Sequence, residues 1–409
     1  MNIRSVTGFV SLNTPTDHAI IDEMGDILEA ARASCEEHGV AVQTKRIATQ
    51  PFAEWLPDPQ ALVEGGQQVE EAVRSAGIDY LALGPVRFAD DTAFAHALRD
   101  LFEHTENVFA SIEIANTSDG VDPARAHLAA GLIRAVSTIH PDGFANLKLA
   151  ALARVGPWGP FFPAAYHAGG GPHLAVAMEA AALAVEAFSE AESLQEARNN
   201  LIERVEETAA SIEEAMLNTL DGRNCVFTGI DFSLAPYPEQ ARSIGHALEQ
   251  LGLRAFGEPG TLAAAAWLTD TLDRASFSYT GFNGLMLPVL EDTILAERAA
   301  EGVLHVRDLL IFSAVCGTGL DTIPLPGDIS SGALTGLLMD VGALALRQGK
   351  PLTARLMPIP GKTAGDPISF DFEYFAPSRV MALEDAKPAP PLNGSERLHI
   401  AARPLDRRI

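Results

Sequence analysis

Carboxylate side chains follow apolar runs at three separate places in the sequence. Asp231 and Ser233 come directly after one such run, Glu291 and Asp292 follow another, and Asp321 follows a third. Strand exits are where α/β folds place their chemistry, and clustered carboxylates can hold Ca²⁺ or Mg²⁺ or exchange protons with a substrate. We therefore predict a metal site at Glu291, Asp292 and Asp321, with Asp231 as a catalytic residue and Ser233 as a substrate contact. Taken singly, each acid is more often a helix cap or a surface charge.

A second candidate site combines two histidines with three successive glycines in residues 165–173. Imidazoles titrate near neutral pH, so His167 is predicted to move a proton, and Gly170 allows the backbone to approach a ligand closely. The glycine spacing matches neither the Walker A pattern nor the dinucleotide-binding fingerprint, so no nucleotide cofactor is expected. The competing interpretation is a flexible surface loop.

A third candidate is the polar cluster Asn116, Thr117 and Ser118, which follows a predicted strand and precedes a helix that begins at Pro123. Its hydroxyl and amide groups could bind a small polar ligand together with the free N–H groups of that helix. The competing interpretation is an ordinary capping turn, because Asn and Ser both cap helices.

The cysteines offer one possible nucleophile. Cys316 lies in a loop of small residues and could present a thiolate to a substrate, with His167 as its base. A lone cysteine in an apolar sequence is more often a buried small hydrophobe. Cys35, Cys225 and Cys316 are too few and too scattered for a disulfide framework or a structural zinc cluster, which favours a reducing cytoplasm.

Composition excludes several classes of partner. The 409 residues carry 54 acidic and 29 basic side chains, a formal charge of −25, which repels nucleic acid and anionic lipid. The first residues alternate like a strand and lack a secretory signal pattern, and no apolar run approaches the length of a membrane span. We expect a cytoplasmic protein with a small-molecule substrate and neither a nucleic acid nor a membrane partner.

Helical windows alternate with short aliphatic runs along most of the chain, which predicts a sheet covered by helices. We predict one large α/β domain in residues 1–380 and a Pro-rich, loosely packed tail in residues 381–409. Residues 174–220 are predicted to form a protruding helical segment. Its apolar face makes a homodimer plausible.

Several of these motifs, at compatible spacing, resemble the domain of unknown function 711 family, also called uncharacterised protein family 0210, over residues 3–375. The matching stretches are residues 148–167, 231–238, 260–261, 284–292, 316–321 and 360–362. The chain departs from the family pattern at residues 176–183 and at Thr293 and Ile294, so it resembles a divergent member. The resemblance adds Lys148, which could neutralise a substrate carboxylate or phosphate, and Thr261, a candidate substrate contact at the head of a helix.

The resemblance implies a ten-stranded α/β barrel surrounded by helices and similar to pyruvate formate-lyase and other glycyl radical enzymes, with a loop inside it that carries a reactive cysteine. Cys316 would be the counterpart of that cysteine. The glycyl radical itself is not expected, because the setting of Gly394, the one glycine after Gly365, does not match the radical site. Fold does not carry function with it.

These observations lead to one principal hypothesis, an enzyme that acts on a small polar metabolite at the barrel mouth. It would be a metal-assisted hydrolase or lyase using clustered carboxylates, Ca²⁺ or Mg²⁺, and His167. One alternative is a nucleophilic enzyme that uses Cys316 and His167. The other is a non-catalytic binding or regulatory protein that kept the barrel.

Overall fold

Aliphatic and β-branched runs form the strands of the protein. The structure is a computed structural model that describes residues 2–386 and 388–403. The strands are β1 Asn2–Val10, β2 Val42–Thr49, β3 Tyr80–Val86, β4 Val108–Asn116, β5 Gly120–Val121, β6 Leu149–Ala153, β7 His173–Glu179, β8 Val226–Asp231, β9 Gly319–Pro326, β10 Leu352–Ile359, β11 Pro367–Ile368 and β12 Ser378–Arg379.

The segments between the strands carry apolar residues at helical spacing, and they form helices that bury one face. These helices are α1 His18–Glu37, α2 Leu62–Ser75, α3 Thr92–His104, α4 Pro123–Ser137, α5 Ala181–Ser189, α6 Leu194–Leu220, α7 Ile244–Gln250, α8 Thr261–Leu272, α9 Thr293–Ala300, α10 Val306–Phe312 and α11 Ser331–Gln348. The alternation predicted from the sequence is therefore confirmed in its main features.

Ten strands form one mixed sheet in the order β8-β7-β1-β2-β3-β4-β6-β10-β9, with β5 paired to β4. Strands β1 to β4 and β6 run parallel to one another. Strands β7 and β8 at one side, and β9 and β10 at the other, run in the opposite direction. The carboxyl ends of β7 to β10 therefore lie at the same end of the sheet as the amino ends of β1 to β4 and β6.

The sheet ends at β8 and β9, and segment 278–290 hydrogen-bonds to both of these edge strands. The amide of Ile230 in β8 donates to the carbonyl of Ser278 over 2.8 Å, and the amide of Val289 donates to the carbonyl of Asp321 in β9 over 3.1 Å. The α/β class is confirmed. The strand pairing defines an open path rather than a closed barrel, so the barrel stays a prediction.

The two faces of the sheet differ in what covers them. The helices bury the larger apolar core against one face. On the other face, loop 156–172 runs across the sheet and packs Phe162 against Phe109, with ring centroids 5.5 Å apart. Phe161 of the same loop packs with Met286 and Phe282. This inner face is where the cavity described below lies.

The prediction for residues 174–220 is wrong in two respects. Residues 173–179 form β7, which pairs with β1, instead of the start of a helix. The helices that follow do not protrude, because α6 buries one face, including Leu201 and Ile212, against α1 and α5. Short apolar residues such as those of β7 fit a buried strand and a buried helix equally well.

Two further predictions concern the surroundings of the domain. Among residues 2–386 and 388–403, no helix has both the length and the hydrophobicity to cross a bilayer. The described part of the tail is largely exposed but has an anchor, since Leu398 forms a bridge with Val121, and Arg397 pairs with Asp119 and Asp122. The division into a domain and a tail stays a prediction, as does the homodimer.

Candidate functional site

A cavity of about 590 Å³ opens at the end of the sheet where β1 to β4 begin and β7 to β10 finish. Six phenylalanines and two tyrosines line it, together with the cationic side chains of Arg4, Arg46, Lys148 and Arg355. A concave, largely apolar site with a few convergent polar groups is the usual form of a small-molecule site. This cavity is therefore the candidate site.

Arg355 on β10 holds two carboxylates at the inner wall. Its Nε donates to Oδ1 of Asp321 over 2.6 Å, and its Nη2 donates to Oε1 of Glu291 over 2.8 Å. All three side chains are buried. Burial raises the pKa of Asp321 to about 6 although Arg355 opposes the rise. In the described part of the chain, Oδ2 of Asp321 has no hydrogen-bond partner.

Arg4 on β1 extends this network across the sheet. Its Nη1 donates to Oε2 of Glu291 over 3.3 Å, and its Nε lies 4.0 Å from Oε2 of Glu179. Glu179, at the end of β7, also accepts from Nε of Arg242 over 2.9 Å. The charges of Arg4 and Arg355 are thus balanced by carboxylates of the protein itself.

Arg46 on β2 differs from these two arginines. Its Nε donates to Oγ1 of Thr44 over 2.9 Å, and its guanidinium lies 5.5 Å from the ring centroid of Tyr80 and 5.2 Å from that of Phe162. No carboxylate of the described residues forms an ion pair with it. Burial, reinforced by the charge of Arg4, lowers the pKa of Arg46 to about 10. An arginine without a carboxylate partner in a cavity is suited to bind an anion.

Lys148 lies just before β6 and is buried in the cavity wall. Its Nζ donates to the carbonyls of Phe102 and Thr105, each over 2.8 Å, at the end of α3. Burial lowers the pKa of Lys148 to about 8. A neutral amine keeps two N–H groups, enough for both carbonyls, and has one lone pair for a proton.

Asp231, the last residue of β8, and Ser233, just beyond it, lie on the cavity wall, as predicted for a strand exit. The carboxylate of Asp231 accepts from the hydroxyl of Ser233 and from the amides of Phe282 and Asn283, over 2.9 and 3.2 Å. Burial raises the pKa of Asp231. Asp231 therefore anchors the segment that follows Gly281, and four predicted site residues, Lys148, Asp231, Ser233 and Glu291, line one cavity.

The structure places His167 elsewhere, near the carboxyl end of β2, where its amide donates to the carbonyl of Thr49. Its fully buried ring lies between Ser11, whose Oγ is 2.9 Å from Nδ1, and the carbonyl of Gly171, 3.0 Å from Nε2. Burial lowers the pKa of His167. Because both ring nitrogens hold loop atoms, His167 is not brought together with the carboxylates of the cavity.

Cys316 is buried in the apolar core, and its carbonyl accepts from Nζ of Lys350. The contacts of His167 occupy both of its ring nitrogens, so this histidine is not positioned as a base for the Cys316 thiol. Gly170, by contrast, lies in an exposed turn with φ near +94°, a conformation that favours glycine. Neither Cys316 nor Gly170 is among the residues that line the cavity.

The predicted substrate contacts at Asn116 and Thr261 form hydrogen bonds with nearby backbone groups. Oδ1 of Asn116 accepts from the amides of Ser118 and Asp119 over 2.9 and 2.7 Å, so Asn116, Thr117 and Ser118 belong to the turn between β4 and β5 and have two exposed members. The buried Thr261 opens α8, where its Oγ1 donates to the carbonyl of Glu258 over 2.8 Å. The helix cap expected near the Asn116 cluster is Asp122, whose Oδ1 accepts from the amides of Ala124 and Arg125 at the start of α4.

The three predicted metal ligands are not gathered into a metal site. Asp292 begins α9 and accepts five hydrogen bonds, from the hydroxyl of Ser243 and from the amides of Ile244, Gly245, Ile294 and Leu295. Glu291 and Asp321 are held by arginine. Among the described residues, no group of three or more His, Cys, Asp or Glu side chains is arranged to hold a metal ion.

The structure predicts a large stability effect at Asp292. We expect Asp292→Ala to lower the free energy of unfolding by about 3 kcal/mol, because it leaves buried donors on two helices without an acceptor. The matched control is Asp91→Ala, since Asp91 is an exposed cap that accepts one amide hydrogen bond, from Ala93. That change should cost about 1 kcal/mol. Urea titrations followed by circular dichroism measure both, and equal losses would contradict the structural role.

The residues that sequence reasoning missed are Arg4, Arg46 and Arg355, together with Tyr374 at the cavity rim. Each arginine stands in an otherwise largely uncharged strand, at a position that points to the inner face. A cation inside a strand of this kind is costly unless it is paired or functional. That pattern could have indicated the cavity.

A comparison of the sequence with known families agrees with the motifs above. The model of the family described as "Uncharacterised ACR (DUF711)" matches residues 1–375. The protein belongs to this family. Its relatives include a UPF0210 protein of Syntrophobacter fumaroxidans, which is 31% identical over 82% of this chain and 79% of that protein. A UPF0210 protein of Desulfovibrio desulfuricans is 29% identical over 86% of this chain and 80% of its own length.

Similarity to solved structures is weak. The carboxyl transferase domain of Rhizobium etli pyruvate carboxylase aligns with 9% identity and a TM-score of 0.21, over 78% of this chain and 45% of that one. The expected likeness to pyruvate formate-lyase has no support in these comparisons.

Proposed function

We propose that this DUF711 protein is an enzyme that binds a small anionic metabolite in the cavity between loop 156–172 and the amino ends of β1 to β4. The observation that carries the proposal is the state of its cations. Arg4 and Arg355 are paired with carboxylates, whereas Arg46 and Lys148 line the cavity without an ion pair to any carboxylate of the described residues. Burying an unpaired cation is unfavourable, and an anionic substrate would compensate it.

The proposed roles follow from the chemistry of the side chains. The planar guanidinium of Arg46 suits a carboxylate or phosphate group. With its pKa near 8, Lys148 is neutral in roughly a tenth of molecules at pH 7, and its lone pair can take a proton from the bound substrate. Many lyase reactions begin with such a proton transfer, and a hydrolase uses a base to take a proton from the attacking water. Hydrolase or lyase therefore remains the proposed class, with Lys148 in place of His167 as the base.

The sequence also predicts a Ca²⁺ or Mg²⁺ ion at Glu291, Asp292 and Asp321. Such an ion would have to displace Arg355 from Glu291 and Asp321 and the backbone amides from Asp292. These residues do not fit a hard divalent cation, which needs several free oxygen ligands. No step of the proposed function is therefore assigned to a metal.

We also propose that segment 278–290 closes the sheet into the ten-stranded barrel. Support comes from its hydrogen bonds to both edge strands and from the two opposed groups of parallel strands. Closure would turn the inner face into an enclosed chamber. It would also explain why charged side chains of β1, β9 and β10 meet there.

A screen of metabolites tests the proposed function. Thermal melts with a library of small anions and their uncharged analogues should show stabilisation by a subset of the anions alone. Mass spectrometry of mixtures of those anions then detects turnover. Lys148→Met should still bind the same anions through Arg46, although more weakly, and turn over none of them. Stabilisation without turnover in the unmodified protein would indicate a binding protein, and stabilisation by uncharged compounds alone would contradict an anion site.

Anion binding should depend on pH through Asp321. Its folded-state pKa of about 6 means that it takes up a proton as pH falls from about 7 to about 5, which leaves Arg355 with less negative charge beside it. We expect the affinity for a carboxylate that stays ionised to rise about fivefold over that interval. Calorimetric titrations at several pH values measure this, and Asp321→Asn should remove the dependence. A rise that persists in Asp321→Asn would assign it to another group.

A further inference from the structure

We infer that the metabolite is a carboxylate with a planar aromatic body, an inference that rests on the proposed anion site and specifies its substrate class. The cavity supplies two features side by side. One is the guanidinium of Arg46, which has no carboxylate partner among the described residues. The other is a wall of aromatic rings that begins at Arg46 itself.

The rings around Arg46 form a connected set. Phe109 makes edge contacts with Tyr80 and with Phe162, at centroid distances of 5.4 and 5.5 Å and interplanar angles of 80° and 65°. Tyr80 and Phe162 are also the two rings beside the guanidinium. A ligand whose anionic group binds Arg46 would therefore place the rest of its molecule against the faces and edges of these rings. Aromatic rings pack favourably against one another in edge-to-face and offset arrangements, so a ring in the ligand would be favoured there.

A second part of the cavity wall, around Phe161, is largely apolar. Phe161 packs edge-on against Phe282 at 5.4 Å and receives the guanidinium of Arg355 at 5.5 Å, and Met286 lies beside Phe161. A sugar or another polyhydroxylated metabolite would bury hydroxyl groups against these side chains without hydrogen-bond partners. An aromatic body avoids that cost, and a thioether such as that of Met286 packs well against a ring.

The number of available cations favours a carboxylate over a phosphate dianion. Arg4 and Arg355 already hold Glu291 between them, and Lys148 is occupied by two carbonyls. The fork of Arg46 is the group left for the ligand, and it matches the two oxygens of one carboxylate. A cavity of about 590 Å³ leaves room for more than one ring behind that carboxylate.

Isothermal titration calorimetry with defined probes tests the inference. The probes are 2-naphthoate, benzoate, acetate, inorganic phosphate and benzyl alcohol, which separate the ring from the charge. We expect 2-naphthoate and benzoate to bind about tenfold or more tightly than acetate, phosphate or benzyl alcohol. Phe162→Leu should weaken the aromatic carboxylates about fivefold and leave acetate unchanged. Arg32→Met, which removes a partly exposed arginine on α1 that does not line the cavity, is the matched control and should change no affinity.

The outcomes separate this inference from the proposed function. If phosphate or acetate binds as tightly as 2-naphthoate, the anion site stands and the aromatic specificity is wrong. If benzyl alcohol binds as tightly as benzoate, the apolar wall stands and the anion site is wrong. If none of the five probes binds, both the inference and the proposed site are overturned.

Discussion

Replacing Arg355 with methionine is expected to lower the free energy of unfolding by about 4 kcal/mol at neutral pH. The change removes the cation that bridges Glu291 and Asp321, and both carboxylates are buried in the inner wall. A buried charge without its partner costs far more than the pair contributes. Urea titrations of the variant and the unmodified protein measure the loss.

Two comparisons show whether the loss arises from buried charge. Combining Arg355→Met with Glu291→Gln and Asp321→Asn should recover most of the stability, because no carboxylate is then left unpaired. The matched control is Arg298→Met, since Arg298 pairs with Glu249 nearer the surface and its loss should cost about 1 kcal/mol. A loss at Arg355 no larger than at Arg298 would contradict the buried network.

Replacing Arg46 with methionine should have the opposite effect on stability. Among the described residues no carboxylate forms an ion pair with Arg46, and burial lowers its pKa, so we expect the folded state to disfavour its charged form relative to the unfolded chain. Methionine fills a similar volume without that charge, so we expect the free energy of unfolding to rise by about 1 kcal/mol. The same change should weaken binding of the stabilising anion at least about tenfold.

Urea titration measures the expected gain in the free energy of unfolding, and calorimetry measures the expected loss of anion affinity. Arg46→Lys is the informative second variant, because it keeps the charge and loses the planar fork. We expect it to retain part of the affinity and none of the added stability. A destabilised Arg46→Met variant would show that the arginine serves the fold rather than a ligand.

Much of the fold could be predicted from the sequence because its signals are local. Helices α3 and α11 and strand β10 are examples, since caps, apolar spacing and aliphatic runs agree there. Strand β7 could not be predicted, because its short apolar residues carry no period and its pairing with β1 is a long-range contact. The edge contacts of segment 278–290 are long-range in the same sense.

The site was predicted only in part, and the reason lies in strand direction. We searched the residues that follow strands, and this found Asp231, Ser233 and Glu291, because β8 and its neighbours end at the cavity. The parallel strands β1 and β2 begin at the cavity instead. Arg4 and Arg46 therefore lie several residues before the ends of their strands, outside the positions that follow a strand. Direction depends on pairings between distant segments, which one sequence does not reveal.

The central claim is that the cavity beside Arg46 binds anions. Soaking crystals in sodium bromide and measuring anomalous diffraction at the bromine edge tests it most directly, because bromide is a small anion whose position the anomalous map reveals. We predict a bromide peak within the cavity, beside the nitrogens of Arg46, and no such peak in crystals of Arg46→Met. Bromide bound only at the outer surface of the unmodified protein, with the cavity free of it, would contradict the account.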